Sequence, residues 1–263
     1  IIKQLYYPES PYSFSVLSSD ILGKIYEIFL TEQLHINNGE ILLEKKPDNV
    51  DKDIVTTPIH IIQDINRETI IPYFKNKTYD KFLLIKIADI ACGSGSFLLE
   101  AFQLLNDLLI DYFLNTDRNA LIQVGIANYK LPFEFKKQLL INCIHGIDKD
   151  YNAVEAAKFG LLLKLLEGEN TNSTNFQHPI LPDLDNNIHF GNSLISPSEL
   201  EELGFSEAVF ERINPFDFSN TNFDVIIGNP PYMKSGDMKN ITPEEYKIYH
   251  KIYDASHKQF DKY

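Results

Sequence analysis

Phe82-Leu83-Leu84-Ile85-Lys86-Ile87-Ala88-Asp89-Ile90 runs without a break into Ala91-Cys92-Gly93-Ser94-Gly95-Ser96-Phe97. The first part is an almost continuous apolar, β-branched run, the pattern of a parallel strand covered on both faces. The second part is a glycine turn. Beyond it Phe97, Ala101, Leu104, Leu105, Leu108 and Tyr112 recur at helical spacing, so a long helix starts where the turn ends. Glycines at such a corner let a ligand approach the backbone, and the helix N-terminus offers unpaired N–H groups to an anion. Taken alone, the turn is also what any tight strand-to-helix corner favours.

The same alternation repeats downstream. A helix over Phe133 to Asn142 leads into a strand over Cys143 to Asp148, and the Ala-rich stretch Asn152 to Leu166 is helical again. A polar loop over 168–187 precedes a third strand, Ile188-His189-Phe190. A fourth, Phe223-Asp224-Val225-Ile226-Ile227-Gly228, ends in Asn229-Pro230-Pro231-Tyr232. Strand and helix in turn give an α/β fold, a doubly wound, mostly parallel, Rossmann-like sheet. Ligands of such sheets bind outside the carboxyl ends of the strands, near the switch in strand order. Upstream, Phe14 to Leu34 reads as an amphipathic helix and 37–56 as a polar surface connection. Thr57-Pro58 reads as an N-cap with proline at the first helical position. The helix it opens carries Ile59, Ile62 and Ile65 and should stop before Pro72. The division is an N-terminal helical segment over 1–76 and a sheet domain over 77–263.

Composition narrows the function. With 24 Lys+Arg against 37 Asp+Glu the net charge is -13, which argues against strong nucleic-acid binding by this stretch on its own. No run approaches the ~18–20 uncharged apolar residues of a membrane span, and the N-terminus lacks a signal-peptide layout. Cys92 and Cys143 are the two cysteines, which excludes a disulfide scaffold and fits a reducing cytoplasm. The seven histidines lack metal-ligand spacing, so no metal is expected. Glu44-Lys45-Lys46 contains a Glu-x-Lys pattern seen in nuclease sites, but without a preceding Asp on a strand it reads as a solvated loop.

Three polar groups follow strands. Asp148 is placed to accept from ribose hydroxyls, and Asn192, in Gly191-Asn192-Ser193, could pair with the edge of a purine; a solvated carboxylate and an Asx turn are the plainer readings. A nicotinamide site is disfavoured, because the turn has Leu98 where a third glycine belongs, and the acid that ends the second strand, Asp148, lies 53 residues beyond Gly95 instead of ~20. Asn229-Pro230-Pro231-Tyr232 is more pointed. Two prolines remove two backbone donors, an Asn side chain and a proline carbonyl can together accept both hydrogens of an amine, and Tyr232 offers a flat face for a planar base or amide.

Asp89 to Phe97, taken with Asn229-Pro230-Pro231-Tyr232, resembles the S-adenosylmethionine-dependent N6-adenine DNA methyltransferases. More narrowly, it is similar to the methylase region of fused type II (type IIG, Eco57I-like) restriction–modification enzymes. Leu22-Gly23-Lys24-Ile25-Tyr26-Glu27, Thr57-Pro58, Gly146-Ile147-Asp148-Lys149-Asp150 and Gly191-Asn192-Ser193 fall in the order of that group. The resemblance implies that the methionine end of the cofactor is held by Thr57 and by the turn from Asp89 through Ala91, Gly93 and Gly95 to Phe97. It implies Asp148 for the ribose and Asn192 for the cofactor's adenine amine. Asn229 and Pro230, with Pro231, would take the target N6 amine, and Tyr232 would stack on the flipped base. Two positions depart from the pattern: Asn192 is often Asp, and Lys149 is often apolar. Double-stranded DNA is the implied partner, read mainly by a recognition region beyond this sequence. A helix starting at Asp261-Lys262-Tyr263 and three further strands are expected to follow strand four, so residues 1–263 alone are expected to bind cofactor weakly and not to methylate. A protein glutamine methyltransferase, which also uses Asn-Pro-Pro-Tyr, and a non-catalytic DNA-modification scaffold stay open as alternatives.

Overall fold

A computed structural model describes residues 32–37, 40–45, 57–169, 181–219 and 221–256. It opens on an antiparallel hairpin, β1 (Glu32–Asn37) and β2 (Glu40–Lys45), with Asn37 opposite Glu40. This corrects two expectations, since Leu34 was assigned to a helix and 40–45 to a loop. The residues between the paired positions are Asn38-Gly39, the strongest short hairpin signal. The remainder of the expected 14–34 helix, and with it Leu22 to Glu27, lies outside the described residues.

Helix α1 spans Ile59–Phe74 and takes Pro58, not Thr57, as its N-cap, with no side-chain cap bond. It also contains Pro72 instead of stopping before it. Pro72 is exposed, while Phe74 is buried and packs on Phe82 with ring centroids 5.0 Å apart. That contact holds the last turn. A short helix, α2 (Tyr79–Phe82), occupies the start of the run expected to be strand, and strand β3 is confined to Ile87–Asp89. The apolar run therefore serves two elements: Phe82 is buried with the helices, Leu84 is exposed, and only the last residues pair.

Helix α3 (Ser96–Thr116) follows the glycine turn, and its inward face centres on Leu98, Ala101, Phe102, Leu105 and Leu109. A small hairpin, β4 (Ile122–Gln123) and β5 (Tyr129–Lys130), leads to α4 (Phe133–Cys143) and strand β6 (Ile144–Asp148). Helix α5 (Tyr151–Leu166) is capped by Asp150, whose carboxylate accepts from the N–H groups of Asn152 and Ala153. Strand β7 (Ile188–Phe190) precedes α6 (Pro197–Glu202), which opens with a Ser196–Glu199 capping box, and α7 (Glu207–Ile213). Strand β8 (Val225–Ile226) is followed by α8 (Ser235–Ile241) and α9 (Pro243–Ile252). A helix thus begins well before Asp261, which lies outside the described residues.

The four strands β7-β6-β3-β8 form one parallel sheet in that order. The chain starts at β3, moves outward through β6 to β7, then returns to the other side of β3 as β8. The switch in strand order therefore lies between β3 and β8, where Asp89 ends its strand and Asn229 follows the other. Ile87, Ile144, Ile188 and Val225 join the main core with α1, α3, α4 and α5. Gly146 shares that face, and a Cβ there would lie 2.7 Å from Leu98 Cδ1 and 3.1 Å from Cys92 Sγ, so no side chain fits. On the opposite face, His145 and His189 lie against Phe223 and Phe216. A second core of Ile195, Leu200, Ile213, Met233, Met238, Ile248 and Tyr249 is built from the segment before α6, from α6 to α9 and from the segments between.

Candidate active site

Asp89 ends β3 with only 2% of its surface exposed, and its Oδ1 accepts the Ala91 N–H at 3.0 Å. Burial raises its pKa to about 7, against the Ala91 hydrogen bond and with added repulsion from Asp148. The turn that follows is pinned to the neighbouring strand, with the Cys92 N–H donating to the Ile147 carbonyl at 3.0 Å. Gly93 and Gly95 have φ of 53° and 88°, conformations open to glycine, and Gly95 is the N-cap of α3. A Cβ on Gly95 would come within 3.0 Å of Ala157 Cβ, whereas Gly93 faces open space.

Asp148 braces this turn. Its Oδ2 accepts the Gly93 N–H at 2.8 Å, and its Oδ1 accepts the Asp150 N–H at 2.9 Å. Burial raises its pKa, opposed by those two hydrogen bonds. Each oxygen retains acceptor capacity for a hydroxyl. The end of β7 is tied in from the other side: the Gly191 N–H donates to the Asp148 carbonyl at 2.8 Å, and the Ser193 hydroxyl donates to the Ile90 carbonyl at 2.7 Å. Asn192 is 4% exposed, and its Oδ1 accepts the Leu194 N–H at 3.0 Å in an Asx turn.

Across the switch point, the Asn229 amide donates from Nδ2 to Thr57 Oγ1 at 3.1 Å, and its Oδ1 accepts the Tyr232 hydroxyl at 2.9 Å. Thr57 thus spends its hydroxyl on Asn229 and not on capping α1. Tyr232 is 49% exposed, and Pro230 and Pro231 are half-buried. The residues singled out from the sequence therefore gather into two groups, Asp89 to Gly95 with Asp148, and Thr57 with Asn229 and Tyr232. Phe97 stands apart, because its side chain is buried in the main core.

Gly228 joins the two groups and was missed in the sequence. Its φ is 145°, and a Cβ would sit 2.5 Å from Asp89 Oδ1, so only glycine lets the Asn-Pro-Pro-Tyr segment pass the Asp89 carboxyl. Its place between an apolar strand and that motif was the available signal. Helix α9 was missed as well: Glu245 pairs with exposed Lys149 at 3.4 Å. A cavity of about 310 Å³ lies elsewhere, lined by Gln103, Asn106, Lys130, Lys136 and Lys164 among others, and none of the strand-end residues lines it. Among the described residues, no group of three or more His, Cys, Asp or Glu side chains could hold a metal ion, and no helix is long and apolar enough to cross a membrane.

A parallel sheet with this order and a polar cluster at its switch point is a doubly wound, Rossmann-like α/β fold, consistent with that of a methyltransferase. Residues 142–263 match the family described as Eco57I restriction-modification methylase. Over its whole length the chain is 53% identical to the type II restriction enzyme and methyltransferase RM.Eco57I of Escherichia coli, of which it covers 26%. It is 30% identical over 131 residues, 48% of this chain, to the putative type II restriction enzyme and methyltransferase RM.MjaORFECS2P of Methanocaldococcus jannaschii, of which that match covers 10%. The chain is thus similar along its whole length to an Eco57I-like methylase region, and it spans about a quarter of the length of the Escherichia coli relative.

Proposed function

We propose that this region carries the S-adenosylmethionine cleft and the amine-binding motif of an adenine-N6 DNA methyltransferase in a restriction–modification system. The observation that carries the reading is the junction at the switch point. There a buried carboxyl, Asp89, lies against Gly228, and the next residue, Asn229, presents an amide braced by Thr57 and Tyr232. In this reading residues 1–76 bring Thr57 to the cleft, and 77–263 supply the sheet.

The donor set suits the cofactor. Asp89 and Asp148 place two carboxyls beside one turn, where a ligand bearing an ammonium group and ribose hydroxyls meets complementary partners. Thr57, Asp89, Ala91, Gly93 and Gly95 form the methionine end, with Phe97 packed behind the turn in the main core; Asp148 forms the ribose end and Asn192 the adenine end. Bound there, S-adenosylmethionine supplies an electrophilic methyl group. The chain's part is to prepare the acceptor. The lone pair of an adenine amine is delocalised into the ring; accepting both amine hydrogens on Asn229 Oδ1 and the Pro230 carbonyl localises it and orients it. Tyr232, hydrogen-bonded through its hydroxyl yet half-exposed, offers its ring to a base flipped from the duplex, with Pro231 fixing the backbone between them.

The direct test incubates the complete protein carrying this sequence with methyl-labelled S-adenosylmethionine and duplex DNA. Label recovered as N6-methyladenine is the expected result; label confined to protein glutamine, or none, overturns the reading.

Asp89 adds a pH signature. Its folded pKa is raised from 3.8 to about 7, so the folded state binds more protons than the unfolded state between those values. Its contribution to stability is therefore fully present below about pH 4, and is lost as pH rises through about 7. Asp89→Asn is expected to flatten this fall, read from denaturant midpoints at pH 5 and pH 8. Identical pH profiles for the two proteins would count against a buried, proton-holding Asp89. Because a cationic ligand prefers the ionised carboxyl, S-adenosylmethionine affinity is expected to rise through the same window.

A further inference from the structure

The Asn229 amide is held from a part of the chain 172 residues away, where its Nδ2 donates to Thr57 Oγ1 at 3.1 Å. Thr57 immediately precedes α1 and makes no side-chain bond to the helix cap, so the fold of α1 does not require its hydroxyl. Where that hydroxyl stands is set by the helix. The Pro58 carbonyl accepts from the N–H groups of Ile61 and Ile62 at 2.9 and 3.2 Å, which joins Thr57 to the first turn with little slack.

The inward stripe of α1 is Ile62, Asn66, Ile70 and Phe74, all buried, and Asn66 is its polar member. An amide buried among isoleucines is costly unless it is bonded. Asn66 is 1% exposed; its Nδ2 donates to the Phe97 carbonyl, in the first turn of α3, at 3.1 Å, while its Oδ1 has no hydrogen-bond partner among the described residues. Nearly one turn earlier, Gln63 Nε2 donates to Glu100 Oε2 at 2.9 Å. Apolar contact is non-directional and would let α1 slide or roll on α3, whereas these two bonds fix its register. The helix they key into starts at Gly95, on the turn that Asp148 braces.

We infer that Thr57 is a positioning residue for the Asn229 amide, and that Asn66 acts through it by keying α1 onto α3. This rests on the proposed methyl transfer and adds to it the residues that aim the acceptor. With Nδ2 held by Thr57, rotation of the amide is checked at one end, and Oδ1 is the end turned to Tyr232, where the target amine meets it. Held by half-exposed Tyr232 without Thr57, the amide would visit other rotamers, and the acceptor would be aligned on the amine less often. The buried amide of Asn66 has its use here as well: an apolar residue would fill the stripe but would not set the register. Thr57 borders the proposed methionine end, yet its hydroxyl works on the other substrate.

The test measures single-turnover methyl transfer to duplex DNA, and S-adenosylmethionine affinity by calorimetry, for the complete protein and its Thr57→Val, Thr57→Ser, Asn66→Ala and Thr57→Val/Asn66→Ala variants. Thr57→Val keeps the shape and loses the hydroxyl. Its saturated transfer step is expected to slow by about tenfold or more, with cofactor affinity within about threefold of wild type. Thr57→Ser keeps the hydroxyl and is expected to transfer within about threefold of wild type. Asn66→Ala is expected to slow transfer about fivefold on its own but less than about twofold in the Thr57→Val background, because the hydroxyl it acts through is already gone. Equal factors in the two backgrounds are what a merely structural Asn66 gives, and they overturn its part. Thr57 is half-buried and outside the main core, so its two variants decide the inference even where Asn66→Ala fails to fold. Normal transfer by Thr57→Val, or a loss confined to cofactor affinity, overturns the inference and leaves the proposed methyl transfer standing. Absence of N6-methyladenine with the wild type removes both.

Discussion

Replacing Asn229 by alanine is expected to lower methyl transfer by about 10²–10³-fold while leaving S-adenosylmethionine affinity nearly unchanged. The effect is placed on the chemical step because the Asn229 side chain is bonded to Thr57 and Tyr232, across the switch point from the turn that Asp148 braces. Removing it deletes one of the two acceptors proposed for the target amine, so the lone pair returns to the ring and the nucleophile weakens. It also frees the hydroxyls of Thr57 and Tyr232, both of which can turn to water. Asn229→Asp separates these contributions: it keeps an acceptor oxygen, and the Thr57 hydroxyl can reverse to donate to it, so its loss is expected to be smaller. Single-turnover kinetics with labelled cofactor measures the step directly. A variant that binds cofactor poorly yet transfers at the normal rate when saturated would place Asn229 in the wrong half of the site.

Gly228→Ala is the second large effect and acts in the opposite way, on the scaffold and the cofactor together. At φ 145° an L side chain is strained, and the added Cβ would meet Asp89 Oδ1 at 2.5 Å. Asp89 cannot easily yield, because it is buried and held by the Ala91 N–H. Strain of ~1–3 kcal/mol and overpacking of similar size give an expected destabilisation on the order of 2–4 kcal/mol. Whatever relief the chain finds must displace either the carboxyl from the methionine end or the Asn229 segment from the switch point. Cofactor affinity is therefore expected to fall in whatever fraction remains folded. Denaturant midpoints and a cofactor titration check both parts, and wild-type values in each would show that the close packing of Gly228 on Asp89 is unimportant.

What could be read ahead of the structure was whatever depends on local pattern. The parallel strands, their order along the chain and the residues just beyond their ends follow from apolar runs broken by glycine and proline; Asp148, Asn192 and Asn229 were singled out that way, and Asp89 through the family resemblance. Apolar runs do not by themselves separate helix from strand. Hence Phe82 was assigned to a strand although its burial against Phe74 places it in a helix. The hairpin around Asn38-Gly39 was hidden because the helical periodicity upstream was extended through Leu34. Gly228 was missed for a different reason: the need for glycine there arises because Asp89 passes beside it, and its place between an apolar strand and Asn-Pro-Pro-Tyr was the one local trace of that need.

The central claim is that Asp89, the glycine turn and Asp148 form a cleft for S-adenosylmethionine. Calorimetric titration of that cofactor into the complete protein and its Asp148→Ala variant, with NAD as the control, tests it most directly. Saturable binding to the wild type, weakened by about tenfold or more in the variant as the ribose acceptor and the brace on Gly93 are lost together, with NAD silent, is the result the cleft predicts. Equal affinity in the two proteins, preference for NAD, or no binding to the wild type would contradict it.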